Sequence, residues 1–161
     1  MNNKHVLSVL VENNPGVLSR VSGLFSRRGY NIDSFSAGGT ENENLTRMTI
    51  VLEGDNHVLE QIQKQLKKLV DVVEIVEMKP HKAVFRELAL IKVKADKSTR
   101  ASIIEVVDIF RGKVIDIANN HLTVEMTGDS EKILAFIEMM EVHGIIEIVR
   151  TGITALGRWS D

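Results

Sequence analysis

The sequence contains no cysteine, only two prolines and only 4% aromatic residues. Without cysteine there are no disulfides, no thiolate metal ligands and no thiol nucleophile, which suits a cytoplasmic chain. Lys and Arg together number 20 and Asp and Glu 22, and both halves are balanced, so no basic region marks a nucleic-acid-binding protein. No apolar run approaches the ~20 residues of a membrane span, and the amino terminus lacks the apolar segment of a signal peptide. We therefore expect a cytoplasmic protein that binds neither nucleic acid nor membrane.

The first half of the chain predicts the order strand, helix, strand, strand, helix, strand. Its apolar patterns place the strands at 5–11, 30–37, 45–52 and 72–78. The first helix carries an apolar stripe from Val17 and ends at Gly29, and Asp55 is the candidate N-cap of the second. This is the ferredoxin-like order, in which two helices cover one face of a four-stranded sheet. The other face then needs a partner, for which a second copy is the usual candidate.

The second half repeats the same order. Strands are predicted at 84–94, 114–118, 122–126 and 145–149, and Arg111-Gly112 ends the first helix there. Asn119-Asn120 tolerates the positive φ of a type I′ hairpin turn. The predicted apolar stripe of the last helix consists of Ile133, Leu134, Ile137 and Met140.

The pattern predicts an α+β protein built from two tandem ferredoxin-like βαββαβ modules. The first module is expected at 1–78 and the second at 84–161, with a short linker at 79–83.

A search for catalytic residues finds no candidate. The five histidines are scattered, without an i,i+4 pair or a carboxylate at metal-ligand spacing, at positions His5, His57, His81, His121 and His143. No nucleophile elbow, Walker loop or dinucleotide fingerprint occurs. We therefore predict no catalytic residue and no metal site in this chain.

The segment that joins the first strand to the first helix offers a different chemistry. A helix amino terminus has free N–H groups and a positive dipole end, which suit a carboxylate ligand. Gly16 lets a ligand approach the backbone, and Asn13 can donate or accept at the same turn. A Pro-Gly pair before a helix is more often simply a turn, so these residues alone leave both interpretations open.

Longer motifs carry a resemblance to a known family. Residues 12–32, ENNPGVLSRVSGLFSRRGYNI, strongly resemble the N-terminal ACT domain of the small regulatory subunit of acetohydroxyacid synthase, also called acetolactate synthase. The resemblance continues through 45–50 and 61–72, and the C-terminal domain of that family is similar to 85–93, 109–116 and 150–158. The match covers essentially the whole chain.

The resemblance implies a subunit without an active site. Such a subunit binds the catalytic (large) subunit, raises its activity and confers feedback inhibition by a branched-chain amino acid, most often valine. Thiamine diphosphate, magnesium and FAD would belong to the catalytic partner, which condenses two pyruvates, or pyruvate with 2-oxobutyrate. This chain itself would hold no cofactor.

The resemblance also implies a site for valine between two ACT domains of a homodimer. The residues implied are Asn13, Gly16, Val17, Leu18, Asn31 and Ile32. The backbone of the glycine and its two successors would take the carboxylate, with the first asparagine at the same turn. The last two residues, supplied by the neighbouring chain, would meet the amino group.

Other functions of the same fold remain as alternatives. The nearest is a stand-alone ACT sensor for a different enzyme. An RNA-binding module would need aromatic residues on the free sheet face, where the third strand instead shows Arg47, Thr49 and Val51. An acylphosphatase-type hydrolase would need an arginine in the first turn. The sequence leaves open which branched-chain amino acid binds best, how the catalytic subunit is contacted and whether the second domain has its own ligand.

Overall fold

The computed structural model describes residues 3–158, which form four helices and nine strands. The helices are α1 (Val17–Arg28), α2 (Asn56–Leu66), α3 (Arg100–Ile109) and α4 (Ser130–Glu141). The strands are β1 (Asn3–Glu12), β2 (Ile32–Gly39), β3 (Leu45–Gly54), β4 (Val72–Glu77), β5 (Ala83–Lys94), β6 (Lys113–Ile117), β7 (His121–Gly128), β8 (Ile145–Arg150) and β9 (Thr154–Gly157). The chain divides into two compact units, one formed by residues up to Val84 together with those from Gly152, the other by Phe85–Thr151.

The first unit contains a four-stranded antiparallel sheet in the order β2-β3-β1-β4. Alternate apolar residues of its two central strands are fully or almost fully buried, because successive side chains of a strand point to opposite faces. They are Leu7, Val9 and Val11 in β1 and Met48, Ile50 and Leu52 in β3. The apolar stripes of α1 and α2 complete this core with Val21, Leu24, Phe25, Ile62 and Leu66.

The second unit repeats that topology, with the strand order β6-β7-β5-β8. Its core is formed by alternate residues of β5 and β7 and by the buried faces of α3 and α4. Phe110 and Phe136 meet edge to face with their ring centroids 5.4 Å apart. The prediction of an α+β protein with two ferredoxin-like modules is therefore confirmed.

Local signals for helix ends agree with the structure at three places. The side chain of Asp55 accepts a hydrogen bond from the Val58 N–H (2.8 Å), and Asp129 caps α4 in the same way. Gly29 ends α1 in the left-handed conformation, with φ 68°, as expected for a glycine after a helix.

The end of the chain differs from the expected domain boundary. The sequence groups 84–161 into one domain, whereas residues 152–158 belong to the first unit by their contacts. The Ile153 N–H donates to Ser34 Oγ (2.9 Å), and the Ser36 hydroxyl donates to the Ile153 carbonyl (3.0 Å). A Cβ on Gly152 would lie 2.6 Å from the Phe35 carbonyl oxygen, so this close approach requires glycine. Such long-range contacts leave no periodic signal in the sequence.

One expectation about the second unit is wrong in detail. Neither Asn119 nor Asn120 has a positive φ, so the hairpin turn is not type I′. The Arg100 guanidinium instead donates to the carbonyls of Ala118 (2.6 Å) and Asn119 (3.0 Å), a tertiary contact that a local turn rule cannot include. After α3, the chain ends the helix at the predicted Arg111-Gly112 pair, where Arg111 has a positive φ of 55°.

The buried face of α4 also differs from the predicted apolar stripe by part of a helical turn. Leu134 is 49% exposed, whereas Phe136 is fully buried beside Ile133 and Met140. The buried positions follow the i, i+3, i+7 spacing of a narrow helix face that lies on the sheet. Across residues 3–158, none of the helices combines the length and the hydropathy of a membrane span.

Candidate functional site

The turn between β1 and α1 leaves helix donors free. Gly16 is the N-cap residue, with φ 82° and ψ −3°, and no side chain caps the helix. The Arg20 N–H donates to the Gly16 carbonyl (3.0 Å), which is the first regular bond of the helix. Within residues 3–158, the N–H groups of Leu18 and Ser19 have no acceptor. These donors point out of the helix end, as helix geometry requires.

The electrostatics of this turn favour an anion. The first turn of α1 contains no acidic residue, while Arg27 and Arg28 lie in its last turn. The positive end of the helix dipole is therefore not neutralised by a carboxylate within the helix. Gly16 itself adds no side chain between a small carboxylate and the backbone N–H groups.

Asn13 lies at the turn, but its side chain is already engaged. Its amide nitrogen donates to the Glu43 carbonyl (3.2 Å), and its amide oxygen accepts from the Thr46 hydroxyl (3.2 Å). The Asn13 backbone N–H also donates to the Asn44 carbonyl (2.8 Å). These bonds tie the turn to the loop between β2 and β3. A ligand could bind the Asn13 side chain only if it replaced one of its two hydrogen bonds.

Val17 and Leu18 contribute differently to the turn. The Val17 side chain is 4% exposed and lies in the core of the first unit, so only its backbone faces the turn. The Leu18 side chain is 53% exposed on the helix surface. An exposed leucine beside free N–H groups provides an apolar surface next to a polar one.

Asn31 and Ile32 lie at the opposite end of α1. They follow Gly29: Asn31 directly precedes the edge strand β2, and Ile32 is its first residue. A helix of 12 residues is about 18 Å long, so these two residues and the Gly16 turn of the same chain are too far apart to share one small ligand. The Asn31 amide nitrogen donates to Asp33 Oδ1 (3.1 Å), which leaves the amide oxygen available as an acceptor.

An ion pair beside the turn was not anticipated from the sequence. Arg20 Nε donates to Asp71 Oδ2 (2.7 Å) and Arg20 Nη2 to Asp71 Oδ1 (2.9 Å). The hydrogen bond from the guanidinium lowers the pKa of Asp71, and the same bond raises the pKa of Arg20. The sequence spacing could have indicated this pair. A side chain four residues after the N-cap points back toward the amino terminus of the helix.

Metal chemistry and base stacking find no support in the described part of the chain. Within residues 3–158, no three His, Cys, Asp or Glu side chains are grouped as metal ligands. The central strands β1 and β3 carry no Phe, Tyr or Trp on which a nucleic-acid base could stack.

Comparison with known proteins decides the family. Residues 7–74 match the AHAS small subunit-like ACT domain, and residues 86–159 match the family described as the small subunit of acetolactate synthase. The chain belongs to the acetolactate synthase small-subunit family. The acetolactate synthase small subunit of Mycolicibacterium smegmatis is 53% identical over 154 residues, which cover 96% of this chain and 91% of that one.

Two further members of the family are similar to this chain over nearly its whole length. The probable acetolactate synthase small subunit of Methanothermobacter thermautotrophicus is 51% identical over 157 residues, covering 97% of this chain and 94% of that protein. The crystal structure of the acetolactate synthase small subunit from Thermotoga maritima superimposes with a TM-score of 0.93 at 43% identity, and 99% of each chain is covered. The resemblance inferred from the sequence is confirmed, and the six residues implied to hold valine stay a prediction.

Proposed function

We propose that this chain is the regulatory subunit of an acetolactate synthase in branched-chain amino acid biosynthesis. It binds the catalytic subunit, raises its activity and confers feedback inhibition by a branched-chain amino acid, with valine as the first candidate. The membership of the chain in the small-subunit family supports the partner. The uncapped amino terminus of α1 at Gly16 is the observation that supports the effector site.

The ligand chemistry follows from the groups at the turn. The carboxylate of valine accepts hydrogen bonds from the free N–H groups of Leu18 and Ser19, at the positive end of the helix dipole. The exposed Leu18 side chain offers apolar surface to the branched side chain of the ligand. A neutral zwitterion suits a site that pairs a dipole end with amide oxygens and needs no net charge.

The amino group of the ligand needs an acceptor from a second copy of the chain. Asn31 and Ile32 lie beyond the far end of α1 from Gly16, so they complete the site only when two copies associate. The free amide oxygen of Asn31 is a suitable acceptor for an ammonium group. β2 is an edge strand of the sheet, and the contacts of residues 152–153 lie at 34–36, so the start of the strand at Ile32 remains for a partner copy. We therefore propose a homodimer formed through the ACT domain.

The catalytic chemistry belongs to the partner in this proposal. Thiamine diphosphate, magnesium and FAD are assigned to the catalytic subunit, and this chain acts by binding alone. Cytoplasmic localisation is part of the same proposal, since the substrates of the catalytic subunit and the effector are small metabolites of the cell interior.

A calorimetric titration of valine into the purified chain tests the effector site, with leucine, isoleucine and lysine as comparison ligands. A saturable signal at micromolar to millimolar Kd for a branched-chain amino acid, absent for lysine, is the expected result. No signal for any branched-chain amino acid, with or without the catalytic subunit, would contradict the proposal.

A reconstituted assay separates this function from a stand-alone ACT sensor. Adding the chain to the catalytic subunit should raise the rate of acetolactate formation, and valine should then lower it. A chain that binds valine yet changes no rate of an acetolactate synthase catalytic subunit would favour the stand-alone sensor.

A further inference from the structure

The ion pair between Arg20 and Asp71 is built with two-point geometry. Arg20 Nε and Nη2 each donate to a different carboxylate oxygen of Asp71, at 2.7 and 2.9 Å. The Asp71 side chain is only 7% exposed, while that of Arg20 is 45% exposed. A bidentate arginine–carboxylate pair fixes orientation as well as distance, which a lysine cannot do.

This pair connects the turn to the start of β4. Asp71 directly precedes that strand, and its backbone carbonyl accepts a hydrogen bond from the Glu12 N–H (2.8 Å) at the end of β1. Arg20 Nη2 also reaches the Pro15 carbonyl (3.4 Å). The segment from Glu12 to Gly16 is thereby held on both sides, by the backbone at its start and by the guanidinium at its end.

The guanidinium also occupies the space where a side chain at position 16 would begin. A Cβ built on Gly16 would lie 2.9 Å from Arg20 Nη1. A flexible arginine would normally move aside, but here two bonds to a buried carboxylate hold it in place. Glycine is therefore required at this position both by its φ of 82° and by the fixed arginine.

We propose that Arg20 is a positioning residue of the effector site: through Asp71 it holds the Gly16 turn in the conformation that presents the Leu18 and Ser19 N–H groups to the ligand carboxylate. This inference rests on the proposed function of the turn. It adds a residue pair to the six implied by the family resemblance, and neither residue of the pair has to touch the ligand.

The competing explanation is that the pair only stabilises the fold. The second unit contains a matched pair for comparison, because Arg150 Nη2 donates to Glu87 Oε2 at 2.6 Å and the Glu87 side chain is 6% exposed. The Ser130 hydroxyl donates to the other oxygen of Glu87. This second pair lies far along the chain from the Gly16 turn and serves only its own unit.

The experiment compares Arg20→Lys with Arg150→Lys in the full-length chain. Calorimetry measures the Kd for valine, and thermal unfolding measures Tm for the same samples. Both variants are expected to lower Tm, because lysine cannot reproduce the hydrogen-bond geometry of the arginine–carboxylate pair. Only Arg20→Lys should raise the Kd, by about tenfold or more, as expected when a charged hydrogen-bonded arrangement is lost.

Asp71→Asn removes the same pair from the other side and keeps the size of the side chain, so it should raise the Kd in the same way. An Arg20→Lys or Asp71→Asn protein that binds valine as the unmodified chain does, despite a lower Tm, would overturn the inference and leave the effector site in place. Absence of valine binding to the unmodified chain would instead overturn the proposed function itself.

Discussion

The turn between β1 and α1 and the turn between β5 and α3 come at the same point of the two units, directly after the first strand of each sheet. In the second unit, the Asp96 side chain accepts hydrogen bonds from the backbone of its own turn. Its Oδ1 accepts from the N–H groups of Ser98 (2.7 Å) and Thr99 (3.0 Å). The Ser98 hydroxyl donates to the same oxygen at 2.6 Å. In the first unit, residues 13–16 carry no carboxylate, and among the described residues the Glu12 carboxylate accepts only from the Asn14 amide (2.9 Å). No side chain caps the first turn of either α1 or α3, so the difference lies in the turn before the helix.

The difference is that a carboxylate of the chain orders the second turn, whereas a glycine with positive φ forms the first. The hydrogen bonds from Ser98 and Thr99 lower the pKa of Asp96 to about 2, which shows how well this turn accommodates a carboxylate. The second unit supplies that carboxylate from its own chain. The turn of the first unit contains no such internal acceptor, so it stays open to the carboxylate of the proposed ligand.

The largest effect is expected when the first turn receives a carboxylate of its own. Gly16→Asp places an acid at the proposed position of the ligand carboxylate and strains a φ of 82°. Repulsion of this kind costs several kcal/mol, so valine binding should weaken by about a hundredfold or more, measured as Kd by calorimetry.

Gly144→Asp is the matched control for that variant. Gly144 also has a positive φ, of 88°, and a Cβ there would lie 3.2 Å from the Lys94 side chain. This variant carries the same backbone strain in the second unit and should keep the Kd for valine. Full valine sensitivity of Gly16→Asp in the reconstituted assay would contradict the placement of the site.

A smaller effect is expected from the half of the site that lies at β2. Asn31→Ala removes the proposed acceptor for the amino group and should weaken valine binding by about 1–3 kcal/mol, the cost of an unpaired polar group. Asn120→Ala is the control, because Asn120 is an exposed asparagine of the second unit that also makes one side-chain contact, to His121. Equal Kd values for the two variants would remove Asn31 from the site.

The Asp96 turn of the second unit should affect the thermal stability of the protein and not its affinity for valine. Asp96→Ala leaves the N–H groups of Ser98 and Thr99 without their acceptor, as when a helix N-cap is removed. We expect Tm to fall by roughly a few degrees while the Kd for valine is unchanged. A changed Kd would show that the two turns are not independent.

The smallest effect is a dependence of stability on pH. Because the folded-state pKa of Asp96 is about 2 and the ordinary value is about 3.9, its ionised form stabilises the fold above pH ~4. That contribution is lost as the pH falls from about 4 to about 2. The difference in Tm between the unmodified chain and Asp96→Asn should therefore shrink over this range, and a constant difference would argue against the stabilising carboxylate.

Much of the fold could be predicted because its signals are local. The strand and helix order follows from apolar periodicity, and Asp55 and Asp129 were recognisable as N-caps from their place before an apolar stripe. The family motif in 12–32 pointed to the Gly16 turn, where the structure finds an uncapped helix. The predictions that failed, such as the type I′ turn at Asn119-Asn120, were those in which a distant side chain decides the local conformation.

The sequence by itself determined the two repeated modules, the family and the Gly16 turn as the candidate carboxylate site, since each depends on neighbouring residues and their spacing. Only the tertiary structure decided that Arg20 pairs with Asp71, that Ile153 contacts β2, and that Asn13 is engaged with the loop before β3. These contacts join residues far apart in the chain. Their formation depends on the packing of whole elements, which no local pattern encodes.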